Sequence, residues 1–491
     1  MHDFVVSLLL LGAISSQGGS MPFWATANQF GVMPDTPGGM LLVGAGNEFD
    51  ESRDLQWRFR ASVGLRTDKV EYKDLLLDEL GGSVRWKSLR LDAGMLHPEQ
   101  GFLASDGMLG TLSTTGGRSI ITGNARSMPG YSLVLEDWNV PFTKGHLQLF
   151  GRYGDYWTTG VRHAQGALVH ETTAGLRVRI GEHFSFSGAL LNYAMWGGVS
   201  PIYGESKVNW DNYFRVITGR SGGADATSGD KENALGDHRG CEIIRLDYET
   251  DDWSLCFQHD RPYDDKSGMK FRNFPDAVNT LSLSFRDKTQ WVSDILYEFT
   301  YTLNQSGTEE RRYATEAEIA SGDPRLYTYP DGKVVLITGG ADNYYNNYFY
   351  RSGWTNMGRT IGNPLFFPRG TVEGTWNRRD VCAGIWSNML QAHHLGVSGS
   401  LWKILPYKLL LTYSLSSGAY YDADFKYGAG SLLDQPLAQF SSALLLEIPL
   451  YGGIIKVVPA VYYDRGEVLP ESFGATLSVK YSLEPSILKT I

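Results

Sequence analysis

The chain has 491 residues, with 44 basic and 54 acidic side chains and a formal charge of −10, and without a cationic block this balance argues against a nucleic-acid partner. Glycine, at 57 residues, is about 12% of the chain against a usual ~7%, while proline stays at 19, which excludes collagen and low-complexity disorder. The three cysteines, Cys241, Cys256 and Cys382, form no CxxC pair, so neither a disulfide framework nor a zinc or thioredoxin-type site is signalled, and no apolar run reaches the ~20 residues of a membrane helix.

In chain order, the first element is the apolar run Phe4 to Ile14, followed by Ser15, Ser16 and Gln17. Residues 1–20 are either a signal peptide or a first strand; the leader Met1-His2-Asp3 has no lysine or arginine, which weakens the first alternative. Pro22-Phe23-Trp24 and Asn28 to Gly31 precede regular period-two text. Between Gln56 and Arg66, Trp57, Phe59, Ala61, Val63 and Leu65 alternate with Arg58, Arg60, Ser62, Gly64 and Arg66. Alternation of this kind separates the two faces of a sheet. It returns at Leu89 to Met95, Leu176 to Ile180, Leu281 to Phe285, Leu395 to Leu401 and Ala475 to Leu483. Arg58, Arg60, Arg66, Arg90, Arg177 and Arg179 all fall on the polar phase, as do Cys256 and Cys382, which read as small buried fillers.

Short links alternate with long ones. Lys87-Ser88, Gly181 to His183, Glu249 to Asp252, Asp287 to Gln290, Lys403 to Pro406 and Tyr451 to Gly453 are short, whereas residues 96–144, 194–240, 303–380 and 416–437 are long connections. Short turns at one end and long loops at the other are the asymmetry of an antiparallel transmembrane β-barrel of the bacterial outer membrane, with strands of ~9 to 11 residues. Trp57, Tyr153, Tyr193, Tyr248, Trp253, Trp291, Tyr301, Trp402, Tyr413 and Tyr481 are expected near strand ends on the apolar phase, at the boundary of lipid and water. Gly64, Gly94, Gly151, Gly188, Gly384 and Gly399 are expected inside strands. Residues 21–483 form one barrel domain, and 484–491 are a C-terminal tail.

The long connections carry aromatic and polar text: MPFWATANQFG from Met21, ASDGMLGTLSTTGG from Ala104, TGNARSMPG from Thr122, VPFTKGHLQLFGRYGDYW from Val140, LGDHRG from Leu235, NNYFYRSGWTNMGRTIGNPLFFP from Asn346, AHHLGVSG from Ala392 and DRGEVLPESFGATL from Asp464. Taken together, these motifs resemble the Wzi-like outer-membrane proteins of capsule assembly, over about Met21 to Leu483. The resemblance implies an all-β barrel of about 18 strands, plugged internally, with long extracellular loops. It also implies a monomer that binds capsular polysaccharide like a lectin, contacts outer-membrane lipid and the capsule export machinery, and uses no cofactor.

Sugar rings stack on aromatic faces and their hydroxyls need polar partners. The stacking candidates are Tyr156, Trp157, Trp196, Tyr203, Tyr344, Tyr345, Tyr348 and Trp354, and the hydrogen-bonding candidates are Arg126, Asp155, Asp237, His238, Arg239, Asp264, Asn346, Asn347 and Arg351. The competing expectation for each is packing of loops and plug. No catalytic or metal site is signalled: Asp264-Asp265, Glu309-Glu310 and His393-His394 are adjacent pairs, which point apart on a strand, and no GxSxG, P-loop or HExxH occurs. The alternative function is a porin-like channel for sugars or anionic solutes, suggested by the polar-phase arginines.

Overall fold

Period-two text becomes strand after strand. The computed structural model describes residues 4–16, 19–67, 75–99, 112–223, 226, 230–231, 234–264, 266–269, 271–307, 310–322, 326–328, 332–338, 340, 342–369, 384–420 and 432–483. Cys382, Asp265, Glu309, residues 1–3 and the tail 484–491 lie outside them. The strands are β1 (Phe4–Ser15), β2 (Gly38–Asn47), β3 (Leu55–Arg66), β4 (Leu76–Trp86), β5 (Leu89–Met95), β6 (Pro129–Asn139), β7 (Leu147–Trp157), β8 (Leu168–Ile180) and β9 (Phe184–Trp196). They continue as β10 (Asp237–Glu249), β11 (Trp253–Tyr263), β12 (Ala277–Phe285), β13 (Asp294–Tyr301), β14 (Leu390–Leu401), β15 (Leu405–Gly418), β16 (Leu432–Leu446, extended by Ile448–Leu450), β17 (Ile455–Gly466) and β18 (Ser472–Leu483). Both lengths of β16 pair with β17, which makes 18 strands. β18 pairs back onto β1 from Val6↔Leu483 to Ser15↔Gly474, so the sheet closes and has no edge.

An 11-residue strand at ~3.3 Å per residue, tilted by ~40°, spans about 28 Å, the thickness of a bilayer core. Solvent exposure is inverted accordingly. Leu10, Val63, Leu91, Leu133, Leu281 and Leu477 are exposed, whereas Gln56, Arg90, Asp92, Glu171, Gln258 and Glu298 are buried. Outward apolar and inward polar side chains suit a wall with lipid outside. Among the described residues no helix is long and apolar enough to cross a membrane.

The links at one end are short: residues 48–54, 87–88, 140–146, 181–183, 250–252, 286–293, 402–404 and 451–454. Several are a few residues offset from the sequence reading. β6 lies within the expected long connection 96–144, because Val134 sits buried on the polar phase and breaks the alternation. Gly384 lies in a loop at φ +67° and not in a strand. Tyr193 is also corrected: it faces the lumen, fully buried, where its hydroxyl meets a carboxylate.

At the other end, three segments fold into the barrel: residues 19–37, 112–128 and 342–369. Phe23, Trp24, Ile120, Tyr345, Trp354 and Phe366 form their shared apolar centre. Wall and plug meet through named bonds. Trp24 Nε1 donates to Thr412 of β15 (3.1 Å), Phe23 N to Asp464 of β17 (2.7 Å), and Ser119 N to Asp260 of β11 (2.6 Å). Between plug segments, Trp354 Nε1 donates to Ile120 O (2.7 Å) and Thr122 N to Ile361 O (2.9 Å). Burying these indole and amide groups without partners would cost about 1 to 3 kcal/mol each, so the bonds fix where the plug sits.

Candidate functional site

Strands β3 to β8 turn charged side chains toward one stretch of lumen. Arg90 and Asp92 of β5 are two residues apart and therefore share a face, with Arg90 Nε 3.0 Å from Asp92 Oδ1. Antiparallel register sets Arg85 of β4 opposite Arg90, Ser132 of β6 opposite Asp92, and Glu171 of β8 opposite Gly154 of β7. Glu136 of β6 bridges Arg85 (3.4 Å) and Arg90. From the connection after β5, Glu99 reaches Arg90 and lies 2.8 Å from Arg152 of β7. Arg152 is also 3.8 Å from Asp92 and 3.9 Å from Glu171. Tyr156 and Tyr193 donate their hydroxyls to Glu171 at 2.8 and 2.6 Å.

Beside this wall the plug leaves a cavity that opens to solvent. Among the described residues, the guanidiniums of Arg58, Arg118, Arg126 and Arg152 line it against the carboxylates of Asp92, Glu99 and Glu171. Those carboxylates are already engaged by Arg90 and Arg152. Among the described residues, Arg58 meets Ser83 Oγ at 3.4 Å and the ring of Phe49 at 4.7 Å, and neither it nor Arg118 has a carboxylate within 4 Å. Burial raises the Glu99 pKa, but the guanidiniums of Arg152, Arg90 and Arg118 outweigh it and hold the carboxyl below its ordinary range.

The residues proposed from sequence for sugar contact do not converge. Arg126 and Tyr156 line the cavity. Asp155 lies on the outer face, accepting from Tyr213 (2.7 Å) and paired with His170 (2.9 Å), and Trp157 is exposed there against Tyr131. Trp196 is buried beside Tyr213, beneath the connection between β9 and β10. Tyr203 packs edge-on against Tyr348, and His238 Nε2 meets Leu235 O at 3.1 Å. Arg239 is fully buried, paired with Asp237, and lies over Tyr345 and Trp354 at 5.8 and 5.2 Å, with Asp264 at 4.0 Å. Asn346 binds the backbone of Ile385, Asn347 caps Phe349 N and Tyr350 N, and Arg351 Nε donates to Tyr348 O. Tyr344, Tyr345 and Trp354 are buried within the plug and present no ring face to a polymer. His394 turns inward to Leu112 O (2.5 Å), and His393 turns outward to Tyr297 (2.6 Å).

The reading from sequence passed over Arg118, Arg152, Glu99, Glu171 and the lumenal role of Asp92. Part of the signal was present: Arg90-x-Asp92, Asp237-x-Arg239 and Arg245-x-Asp247 are ion pairs at i,i+2, the spacing that puts two side chains on one face of a strand.

No family model and no curated protein matches the chain. Solved structures similar to it include OccAB2 of Acinetobacter baumannii (10% identity, 98% of each chain, TM-score 0.47). They also include the outer-membrane protein OprD of Pseudomonas aeruginosa (10% identity, 99% of this chain and 94% of that one, TM-score 0.44). OccK9 of the same organism is a third (11% identity, 98% of each chain, TM-score 0.46). The expected membership of the Wzi-like capsule-assembly family is therefore corrected, and with it the lectin-like capsule function: the solved structures similar to the chain are OprD and Occ outer-membrane proteins. The chain is an 18-stranded β-barrel of the bacterial outer membrane.

Proposed function

We propose that the protein is a channel that passes small anionic solutes across the outer membrane along the wall of β3 to β8. The observation that carries this reading is the surplus of cation in the cavity: Arg58 and Arg118 face it with no carboxylate of their own among the described residues. A guanidinium about 4 Å from an anion is worth about 4 kcal/mol at an effective dielectric near 20, enough to draw a carboxylate or phosphate from water into a confined space. Sugars fit less well, since of the lining tyrosines Tyr156 and Tyr193 commit their hydroxyls to Glu171, and Tyr131 donates to Asp155 on the outer face. The plug narrows the lumen, so the expected conductance is small and anion-selective. Planar-bilayer recording of purified protein across a salt gradient tests this. A reversal potential on the anion side that collapses in R58Q/R118Q supports the proposal; absence of unitary currents, or cation selectivity, overturns it.

A further inference from the structure

Strand β4 carries one residue too many. β3 pairs Ser62 with Glu79 and Val63 with Leu77, which leaves Asp78 as the extra residue of a β-bulge. Leu77 and Leu80 both turn outward, at 40% and 57% exposure, so the two residues between them, Asp78 and Glu79, are both turned to the inside. In an unbroken strand successive side chains point apart, and a carboxylate pair of this kind would have been split between lipid and lumen. The bulge instead sets two anionic groups side by side, an arrangement that like-charge repulsion opposes unless a cation lies between them.

The group that meets them is His97, two residues beyond the end of β5. Its Nε2 lies 2.7 Å from Asp78 Oδ1 and its Nδ1 3.8 Å from Glu79 Oε2, while its backbone N donates to Glu79 Oε1 at 2.9 Å. Phe30 of the plug stacks on the imidazole at 3.7 Å with 5° between the planes, which fixes the ring orientation. No lysine or arginine lies within 4 Å of either carboxylate among the described residues. One ligand atom from each of Asp78, Glu79 and His97 lies within 4.8 Å of the others. Ligands about 2.0 to 2.2 Å from a tetrahedral ion sit roughly 3.4 Å apart, so small side-chain rotations bring the three atoms onto one metal.

We infer that Asp78, Glu79 and His97 form a binding site for a divalent transition-metal ion of the zinc class, with water completing the coordination. An imidazole with two carboxylates suits zinc better than calcium or magnesium, which favour all-oxygen shells. The ion would tie the start of the connection after β5, and the plug through Phe30, to the wall at the rim of the arginine-lined cavity, which His97 also borders. The site stands on its own geometry and does not depend on what passes the barrel.

The test uses the full chain in detergent, stripped with EDTA, dialysed and titrated with zinc chloride by calorimetry, with cobalt(II) visible absorption as a second probe of nitrogen and oxygen ligation. One equivalent should bind, and H97Q and D78N should each weaken it roughly ten-fold or more, while H183Q at an exposed turn leaves it unchanged. Far-UV circular dichroism and heat-modifiable gel mobility confirm that the variants remain folded barrels. No binding by the folded wild-type chain, or binding that H97Q and D78N leave intact, overturns the assignment.

Discussion

Among the described residues that line the cavity, Glu99 is the carboxylate that comes from a connection and not from a strand, and it neutralises Arg90 and Arg152 together. Replacing it by glutamine leaves, among the described residues, four lining guanidiniums against two carboxylates. A unit charge removed about 7 Å from a permeating anion changes its energy by about 2 kcal/mol at an effective dielectric near 20. The Glu99 side chain is 48% exposed, so water and ~0.1 M salt screen roughly half of that. About 1 kcal/mol remains, a factor of roughly five in the anion-to-cation permeability ratio. Reversal potentials across a potassium chloride gradient should therefore move further to the anion side in E99Q. The same change should occur in wild type on acidification. The folded-state pKa of Glu99 is depressed below its ordinary 4.5, so its contact with the arginines is fully present above pH 4.5 and is lost as pH falls through the depressed value. Wild type should then approach E99Q, and E99Q should change less over that window. A ratio that stays constant or falls in E99Q at neutral pH would refute the electrostatic account of the cavity.

Two further substitutions test the fold that holds the cavity. Trp354 is fully buried and donates to Ile120 O, so W354A should cost the plug about 3 to 5 kcal/mol, seen as larger and noisier unitary currents while the barrel remains folded. Unchanged currents would show that residues 342–369 do not limit passage. Leu133 is 51% exposed on the outer face of β6, and L133R should cost about 2 to 4 kcal/mol in folding equilibria measured in lipid vesicles; a cost near zero would place that face in water.

Much of the barrel was legible because its signal is local. Trp57, Val63 and Leu65 against Gln56 and Arg66 state the two faces of β3 within a dozen residues, and Lys87-Ser88 and Gly181 to His183 are complete turns. Legibility failed where a tertiary contact overrode the period. Val134 packs inward and hid β6, and Tyr193, read as a boundary aromatic, turned inward to serve Glu171. The aromatic loop text misled for a related reason. Tyr345, Trp354 and Phe366 in one short stretch fit a sugar-stacking surface and an apolar plug equally well, and only the fold shows that they face each other and the wall. Arg118 and Glu99 were the hardest to find, since each enters the site from an irregular segment whose position no periodicity encodes.

The location of the cavity follows from how each wall disposes of its charge. On β10, Arg239 pairs with Asp237 and Arg245 with Asp247, each with a carboxylate two residues away on its own strand. There the plug closes against the wall, with Tyr345 and Trp354 lying over Arg239. The Arg239–Asp237 pair, beneath two aromatic rings, acts as mortar between wall and plug. On β3 to β8 the carboxylates are shared among several guanidiniums, and Arg58 of β3 and Arg118 of the plug remain over. Sealing that surplus away from solvent would leave charge uncompensated at a cost of several kcal/mol, so this is the side of the lumen where water, or an anion, must stay.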